Sequence, residues 1–239
     1  ITFIQSNFSE VLEKISHKEE LRGILADIGV SSFQLDNNER GFSVNSDFLD
    51  MRMNQNSKIS AYEVVNAYTK EQLTSIFKDY GELHDAHFIA EKICLERSKN
   101  LIKSAKELYQ IIGKCKQNHR KISKATLAFQ AIRIEVNQEL KVLKDFLGYL
   151  ENLKPKNCIL AIISFHSLED RIVKNFFKKW SKNCICDEKI MRCECGNNHN
   201  LGQIITKKSI SASKEELLKN SRSSCAKMRA FYFNNLDNK

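Results

Sequence analysis

Two runs of mostly apolar residues, Ile24 to Ile28 broken only by Asp27, and Cys158 to Phe165 broken only by Ser164, stand apart from a chain whose other hydrophobic positions mostly recur at helical spacing. Runs of this length without polar alternation predict strands buried on both faces of a parallel sheet. A carboxylate near the end of such a run is costly unless it meets a ligand, a donor or the open rim of the sheet. In open α/β sheets, ligands sit beyond the carboxyl ends of the strands. Asp27, Ser31, Ser32 and Gln34 would follow the first strand onto that rim, and His166 the second. The opening run Ile1 to Gln5 predicts another strand. With the helix-like segment 11–15 and the strand around Leu25, it makes a right-handed parallel β-α-β unit.

From roughly Ser43 to Asn137 the period becomes helical. Thr69 with Gln72 and Ser104 with Glu107 have capping-box spacing, and Gly81 and Gly113 stand where helices stop. Ser123 caps a segment with Leu127, Ala131 and Ile132 on one face, and a second helix runs over about 139–152 before Pro155. A buried arginine needs an acidic or carbonyl partner, so Arg133 in this segment reads as structural on physical grounds. Beyond the strand at 158–165, Ser167 and Asp170 are spaced as a capping box for a helix burying Ile172, Val173, Phe176 and Trp180. IITKK at 204–208 reads as a late strand and 211–220 as a short helix before a basic tail. The expected division is 1–43 and 138–239 as two parts of an α/β domain, with 44–137 as a helical insertion.

Composition narrows the partners. A hydrophobic content of 42% over 239 residues can bury a real core, and a net charge of +9 favours a polyanion. The basic run of Lys99, Lys103, Lys106, Lys114, Lys116, Arg120, Lys121 and Lys124, nearly unbalanced by acid in sequence, suits an RNA-facing surface or a solvated helix face. Cys94, Cys115 and Cys158 fall in apolar contexts and no signal peptide precedes them, which fits a reducing cytoplasm better than a disulfide scaffold. No apolar run approaches the roughly 20 residues that span a bilayer. Cys184, Cys186, Cys193 and Cys195, with His199 nearby, form a CxC and CxC pair. Structural zinc more often uses CxxC, so the segment reads as a reduced loop, with a zinc-dependent nucleic-acid module as a competing reading.

Five stretches carry a more specific message: DIGVSSFQLDNNERGFS at 27–43, LDMRM at 49–53, ATLAFQAIRIEVNQEL at 125–140, ISFHSLEDRIVKNFF at 163–177 and NSRSSCAKMRAF at 220–231. In this order they resemble the small subunit methyltransferase H (MraW) family, bacterial enzymes that methylate N4 of a cytidine in 16S ribosomal RNA. The resemblance implies a Rossmann-like class I methyltransferase sheet, incomplete at the N-terminus, with an inserted all-helical domain for substrate recognition. It implies S-adenosylmethionine as cofactor, contacted by Phe8, Asp27 and Gln34, with Ser31, Ser32 and His166 beside Asp27 facing the base. Arg133, Asp170, Arg171, Arg222, Lys227 and Arg229 would meet RNA, although the tail's basic residues could instead tie it back to the acidic rim.

The partner implied is 16S rRNA in the small ribosomal subunit, without a membrane, and a homodimer is left open. The resemblance gives no metal. In the family a first strand, a glycine-rich loop and a ribose-binding acid precede the strand that Ile1–Gln5 would match, and the eight glycines here include no GxG pair. A fragment or a truncated form is therefore expected, and a non-catalytic RNA- or ribosome-binding relative is the alternative. Phe33 stands where the family usually has Pro, and DFLDM replaces a Gly-Pro before the LDMRM core.

Overall fold

The computed structural model describes residues 1–113, 122–187 and 192–234. They form two compact units, 1–29 with 140–239, and 30–139. The division thus falls at 29/30 and 139/140, where the change of period had suggested 43/44 and 137/138. The reason is packing: Val30, Leu35 and Phe42 belong to the core of the second unit.

The first unit opens with α1 (Phe8–Lys14), whose N-cap Asn7 accepts from the Ser9 amide, followed by β1 (Gly23–Asp27). After the second unit the chain continues with α8 (Glu139–Leu153), β2 (Cys158–Ser164), α9 (Ser167–Trp180), β3 (Gly202–Ile204), β4 (Ile210–Ser211), α10 (Lys214–Lys219) and β5 (Lys227–Phe233). β1 and β2 pair in parallel, from Gly23 opposite Ile159 to Asp27 opposite Ile163. β5 lies antiparallel to β2 and to β3, giving the order β1-β2-β5-β3, with β4 also on β5. Cys158, Leu160 and Ile162 alternate onto one face and join Phe231 and Phe233. There they meet Val173, Phe177 and Trp180 of α9, with ring centroids 5.2 to 5.7 Å apart.

Three expectations change here. β1 is not buried on both faces: Leu25 is 69% exposed, and on the same face of β2 Ile159, opposite Gly23, is 47% exposed. Among the described residues β1 is the edge of this sheet, and these two side chains on that face are left largely open to solvent. Ile1–Gln5 is no strand, because among the described residues nothing supplies the ladder of hydrogen bonds that a strand requires. The late strand is shorter than IITKK and ends at Ile204, while the segment taken as basic tail contains β5, the central antiparallel strand.

The regular elements of the second unit's described residues are helices: α2 (Ser32–Asp36), α3 (Ala61–Ala67), α4 (Lys70–Asp79), α5 (Ala86–Lys99), α6 (Ala105–Ile112) and α7 (Lys124–Asn137), with a helix-free stretch at 41–60. Val64, Leu73, Phe77, Ile93, Leu108 and Ile132 form its fully buried centre. The Thr69 and Gln72 capping box closes reciprocally, whereas the Glu107 carboxylate takes the Lys103 amide rather than its cap's. The basic run is less naked than its sequence suggests. Lys99 pairs with Glu96, Lys106 with Asp47 at 2.7 Å and Lys124 with Asp85 at 2.5 Å. Two of these acids come from distant segments, which periodicity cannot show. Lys114, Lys116, Arg120 and Lys121 lie outside the described residues. No helix among the described residues is long and apolar enough to cross a membrane.

Candidate active site

The parallel register brings two of the expected residues to one edge of the sheet. Asp27 ends β1 opposite Ile163, and the next amide, of Ile28, donates to the Ile163 carbonyl at 3.1 Å. β2 ends one residue later, at Ser164, and Phe165 and His166 lead from it into α9. Asp27 and His166 thus leave neighbouring strands in the same direction, and Asp27 stands exposed there. Gly29 has φ +111°, which side-chain-bearing residues rarely adopt, and a Cβ there would lie 3.3 Å from the Phe165 ring. A glycine is required where this loop passes the other.

His166 is itself the N-cap of α9. Its Nδ1 accepts from the Glu169 amide at 3.4 Å, while Glu169 Oε2 accepts from the amides of Phe165 (2.9 Å) and His166 (3.2 Å). The capping box therefore sits one residue before the expected Ser167 and Asp170, because the extended residue before the helix is His166, at φ −139° and ψ 163°. The imidazole is only 6% exposed, with Nε2 3.2 Å from Glu169 Oε1. Asp170 has another task. It receives Arg229 Nε at 2.6 Å and Nη2 at 3.0 Å, a bidentate pair between α9 and β5 whose side chains are 14% and 11% exposed. Arg229 thus ties the tail into the fold. Arg171 and Arg222 are exposed and Lys227 is half-buried. Phe8, the first residue of α1, sets its half-buried ring edge-on to Phe146 at 5.5 Å.

In the second unit, Ser31 caps α2. The Gln34 amide donates to Ser31 Oγ at 3.2 Å, and the Ser31 amide to Gln34 Oε1 at 3.0 Å. This S-x-x-Q box was legible as spacing, and it occupies the Gln34 head group expected at the cofactor. Ser32 is exposed. Arg133 finds its acid in Glu139, with bonds of 2.8 and 2.9 Å. The DMRM stretch is clamped from several sides. Met51, at φ +59°, has its carbonyl bound by Asn137 Nδ2 at 2.8 Å, and the Met53 amide donates to Asn137 Oδ1 at 2.7 Å. Arg40 donates to the Arg52 and Met53 carbonyls, and Arg52 to Asp50 and the Ser57 carbonyl. Burial pushes the Asp50 carboxyl up, but the Arg52 hydrogen bonds and charge outweigh it and hold the group below its ordinary range. Asn137, Arg40, Glu139 and Glu169 were missed as organisers, since each acts through a backbone or partner that only the fold supplies.

A family model described as the MraW methylase family matches residues 1–234. The chain belongs to the MraW methylase family. It is 99% identical over all of its 239 residues to a protein of Campylobacter jejuni subsp. doylei named ribosomal RNA small subunit methyltransferase H, covering 77% of that protein. Proteins with the same name from Campylobacter lari and Campylobacter curvus are 62% and 54% identical over 98% and 97% of the chain, and 76% of each relative is covered. An MraW methylase needs a methyl donor. The rim fits a cationic one, because Asp27 offers an exposed carboxylate at the strand tip beside a glycine that keeps the loop backbone bare.

Proposed function

We propose that this MraW methylase transfers the methyl group of S-adenosylmethionine to N4 of a cytidine in 16S rRNA of the small ribosomal subunit, in the cytoplasm. The observation that carries the reading is the shared sheet edge at which Asp27 and His166 leave two paired parallel strands. The names of the Campylobacter relatives support the substrate class. When bound, S-adenosylmethionine supplies a methyl carbon on a cationic sulfonium, open to in-line displacement by an amine.

The exocyclic amine of cytosine is a weak nucleophile, because its lone pair is delocalised into the ring. Asp27 accepts a hydrogen bond from that amine, localising the lone pair, and takes the proton lost after transfer; its charge also favours the sulfonium. Phe8 borders the cofactor. Ser31, by capping α2, sets the path of the loop, and Ser32 offers an exposed hydroxyl to the base. His166 holds the start of α9 and places its buried imidazole at the base. No covalent catalyst is required, since orienting the reactants alone supplies on the order of 7–11 kcal/mol. A stacked base cannot reach such a site, so the target is single-stranded or flipped out. Arg171, Arg222 and Lys227 take phosphates, while Arg133, Asp170 and Arg229 act through the ion pairs that hold their segments.

The test is calorimetric titration with S-adenosylmethionine, followed by transfer of labelled methyl to small subunits lacking the modification. Asp27→Ala is expected to lower the rate by about 10²- to 10⁴-fold with an unchanged circular dichroism spectrum. Wild-type turnover by that variant, label on another base, or a folded chain that neither binds the donor nor transfers methyl would overturn the proposal.

A further inference from the structure

The 21 residues joining α9 to β3 contain no helix or strand among those described, and Ile185 in them is 64% exposed. Burial of that side chain does not hold the segment, and connections longer than about 12–15 residues without regular structure are uncommon in compact domains. What converges instead is sulfur. The Sγ atoms of Cys184, Cys186, Cys193 and Cys195 all lie within 4.8 Å of one another. Cys184 and Cys193 are 3.5 Å apart, Cys193 and Cys195 3.5 Å, and Cys195 and Cys184 3.7 Å. A disulfide would bring two sulfurs to about 2.05 Å. The observed spacing is close to the edge of a tetrahedron around one ion with metal–sulfur bonds of about 2.3 Å, which is about 3.8 Å.

The backbone is arranged to match. Each CxC pair turns its middle amide toward a sulfur of the other: Ile185 N–H donates to Cys195 Sγ at 3.5 Å, and Glu194 N–H to Cys186 Sγ at 3.4 Å. Such bonds favour the thiolate, the form that ligates metal. Gly196 at φ +83° and Asn197 at φ +55° then fold the chain back directly after the last cysteine. His199 does not join the cluster: its Nε2 lies 2.7 Å from the Cys195 carbonyl oxygen.

We propose that Cys184, Cys186, Cys193 and Cys195 bind one structural Zn²⁺ ion. Four protein thiolates close a tetrahedral site and leave no position for substrate. Four thiols give up four protons to solvent as four zinc–sulfur bonds form, with no change of oxidation state, and the site carries a net charge of −2. A cluster of several irons needs its thiolates further apart than a single ion does. Zinc here closes the loop that β3 continues, in the same unit where the Leu201 amide already reaches the Trp180 carbonyl at 2.8 Å.

The experiment is elemental analysis of the full chain, purified with a non-chelating reductant and gel-filtered. One zinc per chain is expected, lost in Cys186→Ser and kept in Cys225→Ser. If Cys186→Ser fails to fold, Co²⁺ added to the zinc-stripped wild type decides: thiolate-to-metal charge transfer with the intense d–d bands of a tetrahedral all-sulfur site is expected. The proposal is overturned by wild-type protein with little zinc and no such spectrum, by iron in place of zinc, by zinc retained in Cys186→Ser, or by a mass lowered by the hydrogens of disulfides. These readouts involve no methyl transfer, so they stand or fall separately from the proposed activity.

Discussion

At the scale of single residues, backbone conformation decides more than side-chain chemistry does. Gly29 sits at φ +111° beside the Phe165 ring, and replacing it with alanine forces both an unfavourable backbone region and a 3.3 Å contact. Gly29→Ala is expected to cost on the order of 1–2 kcal/mol, read as a lower midpoint in urea at unchanged slope. An unchanged midpoint would show that the loop relaxes freely. Met51 holds a left-handed φ without being glycine, and the two Asn137 hydrogen bonds to its carbonyl and to the Met53 amide explain how that conformation persists. The Ser31 and Gln34 spacing was readable as a cap, whereas the Asn137 clamp was not, since 84 residues separate it from Met53.

Among elements, the join between α9 and β5 depends on the Asp170 and Arg229 pair, nearly out of water at 14% and 11% exposure. Removing one partner leaves a charge buried without compensation, so Arg229→Ala or Asp170→Ala alone is expected to destabilise by about 3–5 kcal/mol. The double variant should lose markedly less than the sum. A double-mutant cycle in urea measures this, and additive losses would mean the pair does not couple. β5 escaped the sequence reading because Lys227, Arg229 and the serines before it resemble a basic tail. Its alternation of Ala230 and Tyr232 with Phe231 and Phe233 gains meaning only once β2 lies beside it. The box at the start of α9 shifted by one residue for a similar reason: where β2 stops decides whether His166 or Ser167 is the extended residue.

For the whole molecule, both limits of pH stability follow from groups within each unit. Asp50, Glu63 and Glu151 are all buried enough for their carboxyls to be pushed up, yet Arg52, Ser60 and the Lys179 and Trp180 donors respectively hold them below their ordinary values. A depressed carboxylate gives stability that is complete above the unfolded value, about 4, and is lost as pH falls through the folded one. Thermal midpoints should therefore drop below about pH 4, and less steeply in Asp50→Asn; an identical slope in that variant would remove Asp50 from the account. At the alkaline end, burial and the Glu135 hydrogen bond push the Tyr68 phenol up to about 12. Its contribution is complete below about pH 10 and is lost on rising toward 12.

By itself the sequence determined the class of fold, the two parallel strands, caps such as that of Thr69 with Gln72 and the family motifs, because these are local or periodic: a run, a spacing or a string of residues states them. Only the tertiary structure decided which face of β1 is covered, that β5 is central, that Arg133, Asp170 and Arg229 are bound in ion pairs, and that four cysteines meet. Each of those depends on residues distant in the chain, whose approach is set by packing and hydrogen bonding rather than by any local preference.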